Sequence, residues 1–163
     1  MLSKLIQGEH LLVNVEANTW EELVDITCEP LLRKGLVEPG FLRSVKETVE
    51  KYGAYMVLID DIAFFHGRPE SGVNELCMTL ALLKKPVYLI DKRVKAAFMF
   101  AALNNDSHRD LLKILAKCMN NDSFVELLLN GAEPEAIMNK LREVEDEVSS
   151  VLRNNQGSTS TTI

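Results

Sequence analysis

Between Glu75 and Leu103 the chain reads Glu75-Leu76-Cys77-Met78-Thr79-Leu80-Ala81-Leu82-Leu83, then Pro86-Val87-Tyr88-Leu89-Ile90, then Ala96-Ala97-Phe98-Met99-Phe100-Ala101-Ala102-Leu103. Short apolar runs bounded by lysines and asparagines read as buried strands. Lys84-Lys85 is taken as the turn between the first two, and Asn104-Asn105 ends the third. Tyr55 to Ile59 is a further, almost wholly apolar run, the pattern of a strand covered on both faces. Asp60-Asp61, read as a solvated turn, interrupts it before Ile62-Ala63-Phe64-Phe65 leads to His66. Leu11 to Ala17 alternates toward its end and adds a strand near the N-terminus.

Helical signals flank these runs. Thr19-Trp20-Glu21-Glu22 has capping-box spacing, which pairs orphan backbone donors with side chains, and Gly35 is the natural stop. Pro30 is expected to bend or split that helix. Pro39-Gly40 opens a second one, with Phe41, Leu42, Val45, Val49 and Tyr52 at helical spacing and Gly53 at its end. Asp106 and Ser107 can cap a helix from about His108 to Cys118, and Asn121-Asp122-Ser123 a shorter one ending at Gly131. The last helix starts at Glu133-Pro134-Glu135 and keeps apolar residues at Ile137, Leu141, Val144, Val148 and Leu152. Helices at both ends around a set of apolar strands indicate an α/β sandwich with the sheet in the middle. One domain over residues 1–153 and a disordered tail over 154–163, Asn-Asn-Gln-Gly-Ser-Thr-Ser-Thr-Thr-Ile, are expected.

Composition narrows the functional classes. The chain has 163 residues, 18 basic and 24 acidic, for a net charge of −6. With no run of Lys and Arg, this disfavours non-specific binding to a nucleic-acid backbone. Cys28, Cys77 and Cys118 are scattered, odd in number and never in a C-x-x-C pair. That argues against a disulfide framework and a structural zinc site and fits a reducing compartment. No window approaches the roughly 18 consecutive apolar residues of a spanning helix, and Gly8, Glu9 and His10 break the N-terminal apolar stretch before a signal core develops. A cytoplasmic protein without direct membrane insertion is expected.

The three histidines carry the chemistry to be weighed. His10 precedes the first strand in a polar setting and reads as a surface or edge residue. His66 ends an apolar strand and precedes Gly67-Arg68-Pro69-Glu70-Ser71-Gly72. Loops at strand ends are where a rigid sheet presents functional side chains. The two glycines would let backbone amides approach an anion, and Arg68 offers a charge-assisted contact to a phosphoryl group. The plainer alternative is an ordinary turn after a strand-ending histidine. His108 sits at a helix start just beyond the Ala96–Leu103 strand, where free N–H groups and the helix dipole favour an anion. Taken alone it reads as a capping or core residue. If the two strands run in like direction, His66 and His108 meet at one sheet edge, and phosphoryl transfer through histidine is suggested. Neither H-x-x-x-H nor H-E-x-x-H spacing occurs, so no metal is expected. The three cysteines lie in apolar segments where thiols are inert. No phosphate-loop or dinucleotide fingerprint is present, and no cofactor is expected.

Ile62-Ala63-Phe64-Phe65-His66 followed by Gly67-Arg68-Pro69-Glu70-Ser71-Gly72 resembles the active-site segment of the type-2 IIA proteins of the bacterial phosphoenolpyruvate-dependent sugar phosphotransferase system. Arg68-Pro69-Glu70 looks most like the ascorbate-type branch. Trp20-Glu21-Glu22-Leu23, Gly35-Leu36-Val37, Tyr52 to Leu58, and Asn105-Asp106-Ser107-His108 with Leu111, Leu112 and Leu115 are similar to further family segments. The likeness spans about residues 10 to 148. It implies a mannitol-type fold, a central mixed sheet with helices on both faces.

The resemblance also implies a function. Phosphorylated HPr would donate to His66, through the ε2 nitrogen, and a cysteine of a IIB domain would accept, with a membrane IIC partner completing uptake. His108 would assist by stabilising the phosphoryl group, and Gly67, Arg68 and Ser71 would form the loop facing phosphoryl group and partner. Phe64 and Phe65 are candidates for apolar contact with the partners, and the negative net charge suits a basic face on HPr. A free subunit is expected. The alternative is a IIA-like regulatory or interaction domain that transfers nothing. Phe65 stands where the family usually has proline and Asp61 where it commonly has glycine. An arginine that some members carry in the second helix has no register among Arg43, Lys46 and Lys51.

Overall fold

The computed structural model describes residues 1–158. In chain order its elements are α1 (Leu2–Leu5), β1 (Leu11–Val15), α2 (Trp20–Arg33), α3 (Pro39–Tyr52), β2 (Asp61–His66), β3 (Cys77–Leu89), β4 (Lys92–Ala101), α4 (Asn105–Met119), α5 (Asp122–Leu129) and α6 (Pro134–Ser158). The strands make one mixed sheet in the order β1-β3-β4-β2. β1 runs parallel to β3, β2 parallel to β4, and β3 and β4 form the antiparallel centre.

Alternation along the strands sends side chains to two separate cores. Ala63, Phe65, Ala81, Ala97 and Met99 face α2 and α3, packing with Leu23, Cys28, Phe41 and Val45. Ile62, Phe64, Leu80, Phe98 and Phe100 face the other way, toward α1, α4, α5 and α6, among Leu2, Leu111, Phe124 and Ile137. Phe64 and Phe98, directly opposite in the β2–β4 register, stack with centroids 5.4 Å apart. The chain is therefore an α/β sandwich with helices on both faces of a central mixed sheet, as the sequence implies.

Several local readings need correction. Tyr55–Ile59 is no strand: Gly53–Met56 forms a single 3-10 turn, and Tyr55 and Leu58 are exposed. An apolar run that short does not distinguish a strand from an apolar surface loop. Lys84-Lys85 is no turn, because β3 continues extended through it and a β-bulge between Leu82 and Val87 absorbs the mismatch. The reversal falls instead at Ile90-Asp91, with Ile90 at φ 60°. α2 runs as one helix through Pro30, held by Leu23, Val24, Cys28 and Leu31 in the core. Finally α4 begins three residues earlier than expected: Asn104 is its cap, its side chain accepting from the Ser107 N–H while Ser107 Oγ accepts from the Asn104 N–H. α6 continues to Ser158, into the stretch expected as tail, and residues 159–163 lie outside the described residues.

Asp61 enters β2 at φ 72°, a left-handed setting that glycine adopts freely and aspartate tolerates better than most residues. It is not a free solvated turn residue. Arg93 donates two hydrogen bonds to its carboxylate at 2.7 and 3.0 Å, which holds the Asp61 pKa below the ordinary value. The ion pair anchors Asp61 at the entrance of β2.

Candidate functional site

Because β2 and β4 are parallel, their C-terminal ends share one sheet edge. His66, the last residue of β2, lies opposite Phe100 in the register, and its ring stacks on that phenyl at 5.2 Å. Alternation places His66 on the same face as Phe64, the face covered by α4. β4 leads within a few residues into α4, whose first turn carries His108. The two imidazoles stand 5.2 Å apart between centroids, inclined by 61°, and Phe100 also lies 5.5 Å from His108. The meeting expected from strand direction is what the topology produces.

A hydrogen bond fixes the tautomer of His66. Nδ1 of His66 lies 2.9 Å from the Phe64 carbonyl oxygen, which can only accept. Nδ1 therefore carries the proton, and Nε2 keeps a free lone pair. Burial of the ring lowers its pKa, while the Phe64 contact opposes that shift. His108 is likewise lowered, first by burial and then by the charge His66 would carry. Both rings are thus neutral near pH 7.

The sign of the pH dependence follows. The unfolded chain takes up these protons near pH 6.5 and the folded chain only at lower pH. Stability contributed by the neutral rings is complete above about pH 6.5 and declines as pH falls below it. We expect ring carbon NMR titrations of His66 and His108 with midpoints below 6.5. The denaturant midpoint should also fall more steeply on acidification in the wild type than in His66→Gln. Midpoints at or above 6.5 would contradict the burial argument.

His66 and His108 open onto a cleft of about 420 Å³ whose other walls are Gly67, Arg68 and Pro69 from the loop, Asn105 from α4, and Glu47, Thr48, Lys51 and Tyr52 from α3. Gly67 is glycine for packing: an added Cβ would lie 2.1 Å from Ser44 Oγ. Ser44 Oγ donates to the Phe41 carbonyl at 2.9 Å and accepts the Arg68 N–H at 3.2 Å, so α3 fixes the loop directly after His66. The Arg68 amide is thereby engaged, and its guanidinium pairs with Glu47 at 3.0 Å and lies 3.9 Å from Glu70. Gly72 serves a turn at φ 110°, where a Cβ would press on Glu38. Ser71 is not among the cleft residues; its carbonyl packs against Gly40 at the start of α3.

Of the cations considered on the second helix, Lys51 alone lines the cleft; Lys46 is paired with Asp25 at 2.8 Å. Ser44, Glu47 and Thr48 carried no sequence signal, because their relevance depends on how α3 crosses the sheet edge. Phe64 and Phe65 are buried, which removes them as partner contacts. The exposed aromatics beside His66 are Tyr52 and Tyr55, which share a shallow pocket with it.

His10 bonds the Met78 carbonyl through Nδ1 at 2.7 Å, an edge contact far in sequence from the cleft. Burial pushes the thiol pKa up to about 12 at Cys28 and Cys77 and about 11 at Cys118, which makes them poor nucleophiles. Among the described residues no group of three or more His, Cys, Asp or Glu could hold a metal ion, and no helix is long and apolar enough to cross a membrane.

Residues 4–144 match the family model described as "Phosphoenolpyruvate-dependent sugar phosphotransferase system, EIIA 2", and the chain belongs to that family. Within it, the ascorbate-specific PTS system EIIA component of Salmonella paratyphi A is 31% identical over 140 residues, covering 85% of this chain and 84% of the relative. Among solved structures, the PTS IIA protein PtxA of Streptococcus mutans matches with a TM-score of 0.76 at 28% identity, over 83% of this chain and 88% of that one. The mannitol-specific cryptic enzyme IIA CmtB of Escherichia coli matches with a TM-score of 0.75 at 25% identity, over 90% and 98%. The chain is a type-2 IIA component of a sugar phosphotransferase system.

Proposed function

We propose that this protein is a cytoplasmic histidine phosphocarrier, with His66 as the residue that accepts and passes on the phosphoryl group. The observation that carries the reading is the Nδ1 contact to Phe64, which leaves a neutral ring with its Nε2 lone pair at a cleft shared with His108. In the first step that lone pair attacks the phosphorus of the phosphohistidine on HPr. A new Nε2–P bond forms, the donor's P–N bond breaks, and its electron pair stays on the donor imidazole. The His66 ring then carries positive charge beside the phosphoryl dianion, with Nδ1–H still held by the Phe64 carbonyl.

In the second step a cysteine thiolate of a IIB partner attacks the phosphorus. The S–P bond forms and the Nε2 electron pair returns to His66, ready for another cycle. Burial disfavours the charged ring, so the phosphoryl group is held without being trapped. His108 lies where a second imidazole can contact the phosphoryl oxygens, and Arg68 and Lys51 supply positive charge at the same cleft. A membrane IIC partner would use the group on IIB to phosphorylate the incoming sugar. Arg68-Pro69-Glu70 and the ascorbate-specific relatives favour an ascorbate-type route.

The test is direct. The protein is incubated with phosphoenolpyruvate, enzyme I and HPr, and intact mass is followed for an acid-labile, alkali-stable phosphoryl adduct. An adduct on a histidine nitrogen supports the carrier. No adduct with active upstream proteins would favour a regulatory IIA-like domain instead.

Docking of either carrier must exclude water around the transferring group, and Tyr55 is the most exposed of the large apolar side chains beside the site, at 81%. Tyr55→Ser is expected to slow transfer from phospho-HPr about 10-fold at low carrier concentration, the scale of a moderate interface anchor. Its reaction with the small donor phosphoramidate should be unchanged. Equal slowing with both donors would mean that Tyr55 acts on the site rather than on the partner.

A further inference from the structure

Arg68 is attached to this site in two different ways. Its backbone N–H is fixed to Ser44 Oγ, whereas its guanidinium is half exposed and, among the described residues, held only by exposed carboxylates, Glu47 on α3 at 3.0 Å and Glu70 in its own loop at 3.9 Å. Glu47, Arg68, His66 and His108 all line one cleft. An exposed ion pair of this kind is weak and easily exchanged. A phosphoryl dianion is a stronger partner for a guanidinium, offering two oxygens to its paired N–H groups.

We propose that Glu47 is a positioning residue that parks the Arg68 guanidinium on the α3 wall while His66 is unmodified and yields it to the phosphoryl group once the Nε2–P bond has formed. The inference rests on His66 being the phosphorylated residue. It accounts for an arginine at a phosphoryl site being already paired with a carboxylate. The parked guanidinium is kept away from the neutral ring pair, and it is delivered only when negative charge arrives. The fixed Arg68 amide supplies the pivot, so side-chain rotation alone exchanges the partners.

The experiment uses the full chain, phosphorylated with phosphoramidate. In that reaction the His66 lone pair attacks phosphorus, the donor's P–N bond breaks, and ammonia leaves. The ionisation of the phosphorylated His66 site, whose midpoint the phosphorus shift reports, is followed by phosphorus NMR from neutral to alkaline pH in wild type, Glu47→Gln, Arg68→Gln and the double variant. Both substitutions lie at exposed side chains, so the fold is expected to be kept in all three variants. Arg68→Gln is expected to raise the phosphoryl midpoint by roughly half a pH unit, through loss of a nearby cation. Glu47→Gln should lower it by a few tenths of a unit, through release of Arg68. In the Arg68→Gln background, Glu47→Gln should have no effect.

An equal Glu47→Gln shift in both backgrounds would show direct charge repulsion and overturn the proposal, as would four identical midpoints. If wild-type protein forms no adduct, the carrier reading itself fails and takes the exchange with it. An adduct whose midpoint ignores Glu47 removes the exchange alone.

Discussion

His66→Gln is expected to form no phosphoryl adduct with phosphoenolpyruvate, enzyme I and HPr, a loss of at least about 10³-fold in rate, the scale on which removal of a catalytic nucleophile acts. Glutamine is the informative substitution because its amide can still donate to the Phe64 carbonyl that Nδ1 now faces at 2.9 Å. The half-buried position at the end of β2 stays filled, yet no nitrogen with a free lone pair remains. His108→Gln is expected to keep the adduct on His66 and to form it roughly 10²-fold more slowly, as suits a group that assists the transfer without bonding to phosphorus. Quantitative intact-mass time courses read both. If His66→Gln is phosphorylated at the wild-type rate, the nucleophile lies elsewhere. If His108→Gln takes up nothing while His66→Gln does, the two roles are reversed.

Gly67→Ala is expected to destabilise the protein by about 2–4 kcal/mol through overpacking and the loss of a buried hydrogen bond. For a chain of this size that corresponds to a fall of roughly 5–15 °C in Tm. The new methyl would sit 2.1 Å from Ser44 Oγ, with Phe41 Cε2 and Val45 Cγ2 each at 3.2 Å behind it. Ser44 cannot simply turn aside, because that oxygen joins the Phe41 carbonyl to the Arg68 amide. Either the serine gives up both contacts or the loop after His66 lifts from α3, and phosphoryl uptake should fall with stability.

Adding Ser44→Ala to Gly67→Ala removes the closest atom and should recover part of the loss, even though Ser44→Ala alone costs about 1 kcal/mol for the unpaired amide. The two substitutions should therefore be non-additive, with the double variant more stable than the sum predicts. Thermal unfolding of the four proteins decides it. Strict additivity would show that the contact with Ser44 is not the cause.

The legible part of this fold consists of features that depend on near neighbours in the chain. The Thr19 and Asn121 caps, the Pro39 start and Gly53 stop of α3, and the three-to-four residue spacing of Ile137, Leu141 and Val144 each follow from local backbone chemistry, and each is present. The errors fall where a local signal competes with a distant one. Lys84-Lys85 has turn-like polarity, but pairing of β3 with β4 on both sides of the bulge keeps the chain extended. Tyr55 to Leu58 has strand-like composition, but Gly53–Met56 closes into a 3-10 turn that buries Met56 and leaves Tyr55 and Leu58 exposed, so the run joins no strand.

For the site, residue type and local context already mark the side chains that can do chemistry. They single out a histidine at the end of an apolar strand before a Gly-Arg loop, a second at a helix start, and cysteines confined to apolar runs. Which nitrogen of His66 is free, the 5.2 Å between the two rings, and the dependence of Gly67 on Ser44 and of Arg68 on Glu47 come from the assembled fold. Those facts depend on the parallel pairing of β2 with β4 and on the way α3 and α4 cross the sheet edge. Apart from the Nδ1 contact of His66 with Phe64, two residues away, they join residues more than 20 positions apart, and contacts at that separation leave no periodic trace along the chain.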